Sequence, residues 1–266
     1  MDMIVCVKQV LDPEALSGSF KIDADTNNVR PPTGVPPVLS TFDEQAIEAA
    51  LRIKDINGGK ITIISLGFNL LREVVKKPLS MGADELILLE DPAFVDGDSW
   101  STAYALAAAI RKIGQYDLIF CGRQAADWDS GQVGSCIAEI LGLPQVTLAK
   151  KVEIMDGKVR VEKVMADGYE VVEVATPALI TVSNELGEPR YATIKGILAA
   201  RAKEPVVWKP VDIGVDISEV GAVGRRTKML KIFQPVHESK CEIISGRNEA
   251  EAGANMAEKL VEEKLL

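Results

Sequence analysis

The sequence predicts an α/β fold layered around a mostly parallel sheet, and three observations carry the prediction. Short apolar runs alternate with amphipathic segments through the first half of the chain, the order that strand–helix–strand crossovers produce. The connections between these segments are short, as for parallel neighbours in one sheet. Near residue 150 the rhythm changes to strand-like runs punctuated by Asp-Gly pairs, which suit tight antiparallel hairpins. Hydrophobic residues make up 47% of the 266, enough for a sizeable core in one large domain or one domain with a smaller appendage.

The elements follow in order. Met3–Val10 (MIVCVKQV) reads as a buried strand, and Phe42–Asp55 as a helix. Thr41 and Glu44 have the spacing of a capping box, with Ile47, Ala50, Leu51 and Lys54 at helical intervals. Lys60–Leu66 is a second strand; a helix from Leu70 to Met81 ends at Gly82 and is broken or kinked by Pro78. Glu85–Glu90 is the third strand, Ser99–Ile113 an Ala-rich helix, Asp117–Cys121 the fourth strand and Gly131–Leu141 the helix after it. Val146–Leu148 begins a fifth strand. Lys150–Met155, Lys158–Met165 and Tyr169–Ala175 form an antiparallel hairpin insertion turning at Asp156-Gly157 and Asp167-Gly168, and Ala178–Val182 returns to the main sheet. Residues 1–204 then make the α/β domain. Residues 205–266 make an extended C-terminal arm that closes with an amphipathic helix at Glu249–Leu265, where Ala252, Met256, Leu260 and Val261 share a face.

Composition excludes several function classes. A net charge of −9 opposes binding to nucleic acid or to an anionic membrane. No apolar stretch has bilayer length, and Met1–Val10, carrying Asp2 and Lys8, is no signal peptide, so the expected location is the cytoplasm or an equivalent soluble compartment. Cys6, Cys121, Cys136 and Cys241 form no CxxC pair and read as reduced, mostly buried thiols. The single histidine, His237, sits in a polar tail and leaves no triad or two-histidine metal site, so no catalytic residue and no metal ligand are assigned.

Three segments carry candidate chemistry. Gly122–Gly134 (GRQAADWDSGQVG) joins a strand to a helix, where free N–H groups and the helix dipole suit a phosphate. An ordinary loop capped by Ser130 or Asp129 explains it equally well. Neither GxGxxG nor GxxxxGK[ST] occurs, so a bound nucleotide needs another geometry. Asn184–Lys203 is the one locally basic stretch; a solvated loop with a short helix is its default reading, and a docking loop anchored by Ile194 its functional one. In Ser40–Glu44, Phe42 at a helix start is most simply a core contact, with cofactor contact the sharper alternative.

Taken in order, IVCVKQVLD (Ile4–Asp12), FDEQAIEAALRIKD (Phe42–Asp55), MGADELILL (Met81–Leu89), CGRQAADWDSGQVG (Cys121–Gly134), LGLPQVT (Leu141–Thr147), PALITV (Pro177–Val182) and EPRYATIKGI (Glu188–Ile197) resemble the electron-transfer flavoprotein β-subunit family. The resemblance spans most of the first 200 residues. It implies a Rossmann-like domain that works as half of a heterodimer: an α subunit holds FAD, and electrons pass from a flavin-dependent dehydrogenase, such as an acyl-CoA dehydrogenase, to an acceptor. The chain is then an electron carrier rather than a stand-alone enzyme. It implies a nucleotide in the β subunit as well, either AMP or, in electron-bifurcating members, a second FAD that is reduced by NADH.

The implied cofactor contacts are Cys6, Ser40, Leu66, Gly122, Arg123, Gln124, Ala125, Ala126, Asp127, Trp128, Asp129, Ser130, Gly131, Gln132 and Val133, with Phe42 near the flavin. The implied docking residues, within the recognition loop 184–203, are Glu188, Pro189, Arg190, Tyr191, Ile194 and Lys195; the arm is expected to pack on the α subunit. Cys6 and Ser40 stand where relatives often carry alanine and asparagine, and Trp128 where a small residue is usual. Ala199 and Ala202 replace two common lysines. Ser130–Gly134 (SGQVG) resembles the TAQVG of bifurcating members more than the NQTGQ of AMP binders, which favours a second FAD, whereas Asp127-Trp128-Asp129 departs from their Asp-Gly-Asp. A stand-alone adenine-nucleotide-binding module is the alternative reading.

Overall fold

The computed structural model describes residues 1–15, 20–23, 28–155, 157–234 and 241–266, so Asp156 and His237 lie outside the described residues. The chain divides into two units, Met1–Leu230 and Lys231–Leu266.

The first unit is built on strands β1 (Asp2–Val7), β2 (Gln9–Val10), β3 (Lys21–Asp23), β4 (Asn28–Arg30), β5 (Val38–Leu39), β6 (Lys60–Gly67), β7 (Glu85–Glu90), β8 (Leu118–Gly122), β9 (Gln145–Met155), β10 (Lys158–Met165), β11 (Gly168–Ala175), β12 (Ala178–Val182) and β13 (Val206–Trp208). Its helices are α1 (Thr41–Asn57), α2 (Arg72–Val75), α3 (Lys77–Met81), α4 (Ser99–Ile113), α5 (Val133–Leu141), α6 (Ile194–Ala202) and α7 (Gly221–Gly224). Among the described residues, nine strands make one sheet in the order β11-β10-β9-β12-β8-β1-β6-β7-β13. Every pairing from β9 to β13 is parallel, and only β9–β10 and β10–β11 are antiparallel.

Helices cover both faces of the parallel part of this sheet, which explains why β1, β7, β8 and β12 are unbroken apolar runs, whereas β10 and β11 alternate. Met3, Val5 and Val7 of β1 point to one side with Ile47, Leu51, Ile63, Phe120 and Ile180, under α1, α3 and α6. Ile4 and Cys6 point to the other with Ile64, Ile110, Ile119, Ile137 and Leu179, under α4 and α5. Each such buried aliphatic side chain contributes roughly 1.5–3 kcal/mol.

Glu85–Glu90, Ser99–Ile113 and Ala178–Val182 fall where the sequence placed them. Pro78 does split its helix, since α3 starts at Lys77 and ends at Gly82 with φ 130°. Four local expectations are corrected. Helix α1 begins at Thr41, one residue earlier than a Thr41 cap allows; Ser40 is the N-cap and makes no side-chain cap bond. Helix α5 begins at Val133, because Asp129 and Gly131 adopt φ of 51° and 62° and keep the chain in a loop. The second hairpin turns at Ala166-Asp167, with Met165 opposite Gly168. The segment read as a featureless arm opens with β13, an edge strand on β7, and goes on through short helical turns that bury Ile213, Val215 and Val220 under α4.

The second unit holds α8 (Glu249–Glu262), capped by the Asn248 side chain, which accepts a hydrogen bond from Glu251 N at 2.9 Å. No helix among the described residues is long and apolar enough to cross a membrane.

Candidate functional site

Strand order fixes where a ligand crevice opens. From β1 the chain passes through α1 to β6 on one side, then through α4 to β8 on the other, so β1 and β8 flank a topological switch point. In sheets of this kind the crevice lies outside the carboxyl ends of those two strands. Asp43, on the first turn of α1, sits buried against both ends. Its carboxylate accepts the Lys8 amide at 2.8 Å and the Gly122 amide at 3.2 Å. Burial raises its pKa to about 7, although the two amides and the Lys8 charge act the other way. The Lys8 ammonium reaches across to Asp127 at 2.8 Å. Ser40 N donates to Lys8 O at 2.9 Å, and Ser40 Oγ accepts the Ala126 amide at 3.3 Å. Gly122 is required here, since a Cβ would stand 2.5 Å from Asp43 Oδ1 and 2.8 Å from the Phe42 backbone.

The loop from Gly122 to Gln132 is held along its length. Arg123 N donates to Val182 O at 2.8 Å, its Nη1 donates to Ser183 Oγ at 3.3 Å, and its guanidinium lies 5.7 Å from the Phe42 ring centroid. Gln124 Nε2 donates to Asp129 Oδ1 at 2.8 Å, and Ser130 Oγ lies 3.4 Å from Ser99 Oγ on α4. Gly134 lets α5 sit close to β12, where a Cβ would meet Thr181 at 2.8 Å. Cys6 and Cys121 are paired residues on β1 and β8, both buried as free thiols; contact with Cys6, then burial, pushes the Cys121 thiol well above its usual range. Leu66 stands two residues beyond Ile64, the register partner of Cys6.

Cys6, Ser40, Phe42, Leu66 and the loop 122–133 therefore converge at the carboxyl ends of β1, β6 and β8. The tip of the loop, Asp127–Gln132, is exposed, Trp128 at 54%. Two donors fit an anion: the α5 N-terminus, which Gln132 leaves without a side-chain cap, and Arg123 Nε, buried without a partner. A cavity of about 220 Å³ at Asp2, Lys60 and Gln115 lies at the opposite, amino ends of the strands, away from this donor set.

The residues expected to dock a partner form a separate group. Arg190 is not a free charge: its Nε meets Glu48 at 2.8 Å and its Nη2 meets Asp55 at 2.8 Å, both on α1. Arg52 Nε adds 2.9 Å to Glu48, and Arg52 Nη1 donates to Leu186 O at 3.1 Å. Burial raises the Glu48 pKa, but the two guanidiniums outweigh it and hold the carboxyl below its usual range. Gly196 packs α6 directly on α3, where a Cβ would stand 2.2 Å from Ser80 O. So anchored, the loop presents Tyr191 at 90% and Ile194 at 80% exposure, with Leu198 beside them. Glu188, Pro189, Arg190 and Tyr191 line a shallow cavity of about 180 Å³ with Glu44 and Lys77; Ile194 and Lys195 lie beyond it on the first turn of α6.

Sequence reasoning missed Asp43, the Lys8–Asp127 pair and Glu48. A first-turn acid reads as a dipole partner, and Glu48 with Arg52 reads as a surface i,i+4 pair. The remaining partners are 35 to 142 residues away in sequence, so no local signal points to them.

A doubly covered parallel sheet with a donor-lined crevice at its switch point places the chain in the Rossmann-like class of α/β proteins. Known proteins narrow this. The electron transfer flavoprotein domain matches residues 33–213. An electron transfer flavoprotein subunit beta from Thermoanaerobacterium thermosaccharolyticum is 44% identical over 261 residues, 98% of each chain. The same-named subunit of Clostridium acetobutylicum is 40% identical over 263 residues, 99% of each chain. The caffeyl-CoA reductase-Etf complex subunit CarD of Acetobacterium woodii is 39% identical over 267 residues, 100% of each chain. The chain belongs to the electron transfer flavoprotein family, as a β subunit.

Proposed function

We propose that the chain is one half of a heterodimer whose α subunit holds FAD, and that its own crevice holds an adenine nucleotide at the α5 N-terminus. The carrying observation is the uncapped start of α5 at the end of the loop 122–132, whose free N–H groups suit a pyrophosphate or phosphate; Arg123 Nε, buried without a partner, is a further donor at the start of the same loop. Ser40, Leu66 and Cys6 would flank the nucleotide, and Gly122 lets the loop close against α1. A bound flavin supplies the redox chemistry; this chain binds, orients and excludes water. No acid, base or nucleophile of its own is needed.

A second FAD is the favoured occupant. The SGQVG stretch at Ser130–Gly134 supports it, as does full-length similarity to a subunit named for a reductase-Etf complex. AMP is the second reading, supported by the Asp127-Trp128-Asp129 departure and by the Asp127 carboxylate being committed to Lys8. Purifying the chain with its α subunit and quantifying released nucleotides separates them. Two FAD per heterodimer support the first reading, and one FAD with one AMP the second. A crevice that carries neither overturns both.

Docking of a flavin-dependent dehydrogenase, of the acyl-CoA dehydrogenase type, falls to Tyr191, Ile194 and Lys195, held out by the Arg190 anchor. The arm and α8 pack on the α subunit. A stand-alone nucleotide-binding module would instead run on size exclusion as a flavin-free monomer indifferent to an α subunit.

A further inference from the structure

We infer that Asp43, Lys8 and Asp127 form a positioning relay that sets the loop 122–132 over the crevice, with Asp43 as its buried anchor. The inference rests on the reading of that crevice as a nucleotide site. One carboxylate oxygen of Asp43 takes the Lys8 amide and the other takes the Gly122 amide, so a single side chain ties the residue that follows β1 to the first residue of the loop. Lys8 then carries the tie outward, its ammonium 2.9 and 2.8 Å from the two Asp127 oxygens in the middle of the loop. Ser40 runs alongside, joining Lys8 O to the Ala126 amide. The Asp43 and Ser40 rungs hold backbone, the Lys8–Asp127 rung is solvent-exposed, and none is needed to build the sheet, whose β1–β8 ladder already runs from Met3–Leu118 to Cys6–Cys121.

The chemistry distinguishes this role from ordinary core support. Two amide donors need two acceptor oxygens, which only the carboxylate offers; in Asp43→Asn one N–H would face an amide NH2. The charge, however, is costly to the fold. The folded pKa of about 7 lies above the usual 3.8, so this group's stabilisation is complete below about pH 4 and is lost as pH rises through about 7. The charged or titratable groups around it are Lys8 from β1, Asp127 from the loop, Cys121 from β8, which stays protonated, and Glu44 on α1, which is paired with Lys77.

The test uses the full chain co-purified with its α subunit, wild type against Asp43→Asn and Lys8→Met. Three quantities are read: amide protection of residues 122–132, the rate at which the β-site nucleotide is released on gel filtration, and the unfolding midpoint from pH 5.5 to 8.5. In Asp43→Asn, loop protection drops and nucleotide release speeds up about tenfold above about pH 7, where the wild-type carboxylate is ionised, the scale of one charge-assisted hydrogen bond, and both differences narrow towards pH 5.5. Over the same range the unfolding midpoint of Asp43→Asn gains on the wild type as pH rises. A merely structural Asp43 moves stability and loop protection down together, and that result overturns the relay. Lys8→Met keeps the Lys8 amide and cuts only the outer rung, so it serves if Asp43→Asn fails to fold; wild-type loop protection in this variant also overturns the relay. A heterodimer without β-site nucleotide at any pH refutes the crevice reading, while loop protection still decides the relay.

Discussion

At Asp98 one carboxylate does two separable jobs. Its Oδ1 accepts the Ser101 amide at 3.0 Å and closes the capping box of α4. Its Oδ2 accepts the amides of Arg226 and Thr227 at 2.7 and 2.8 Å and the Thr227 hydroxyl at 3.0 Å, so that residues 226–227 are fastened to the start of α4. The Arg226 guanidinium then lies 3.5 Å from the Trp100 ring centroid. Burial alone would raise the carboxyl, but the hydrogen bonds win and hold its pKa at about 2. Asp98→Ala should cost about 1–2 kcal/mol in denaturant titrations at neutral pH and expose Arg225 and Arg226 to trypsin. A folded pKa below the usual 3.8 means this contribution is present above that value and lost as pH falls through about 2. The gap between variant and wild type should therefore close between those limits, and a gap constant with pH would show the cap acting without its charge. Only the first job leaves a local signal, an Asp three residues before its partner at a helix start; residues 226–227 lie more than 125 further on.

Helix α1 is the element that unites the two candidate sites. Its N-cap Ser40 and its first-turn residues Phe42 and Asp43 face the crevice, and Glu48, about 7.5 Å beyond Asp43 at 1.5 Å per residue, holds the candidate docking loop. Glu48→Ala strands two guanidiniums. Full burial would make that cost about 3–5 kcal/mol, but Arg190 and Arg52 side chains are 33% and 44% exposed. We expect about 2 kcal/mol of destabilisation, with amide protection lost across residues 187–193 and retained at the crevice. Gly122→Ala acts at the other end of the helix. Its Cβ pushes Asp43 and the Phe42 backbone away from β8, so an overpacking cost of about 1–3 kcal/mol should accompany loss of the bound nucleotide. A nucleotide retained in Gly122→Ala would place the ligand elsewhere. The elements themselves were legible where burial on both faces writes an unbroken apolar run, as in ELILLE and ALITV. They were illegible where length or neighbours hide the pattern. Strand β13 has three residues between Pro205 and Pro210, too few to alternate, and its pairing with β7 is decided by distant chain. The loop 122–134 was legible as a candidate site by its place after a strand; the residues that tether it were not.

At the scale of the molecule, both apolar layers of the sheet belong to Met1–Leu230. A chain ending at Leu230 should keep a single cooperative unfolding transition by calorimetry and, on the heterodimer reading, fail to retain an α subunit in a pull-down. Ile194→Ala should leave flavin spectra and stability unchanged, because the side chain is already in solvent, and slow electron transfer from a cognate dehydrogenase. Unchanged transfer kinetics would remove Ile194 from the interface.

The route of residues 183–205 has a practical consequence. This segment leaves β12 and re-enters the sheet at β13, five strand positions away, a span of about 24 Å at the usual strand spacing. It is a strap buckled at Leu186, Arg190, Gly196 and Ala200, and most of the residues between the buckles face outward. On the docking proposal, exchanging partner preference between relatives by grafting whole loops would import foreign buckles. A graft confined to Tyr191, Ile194, Lys195 and Leu198, leaving Arg190 on Glu48 and Gly196 on Ser80, changes what the strap displays without changing how it is fastened.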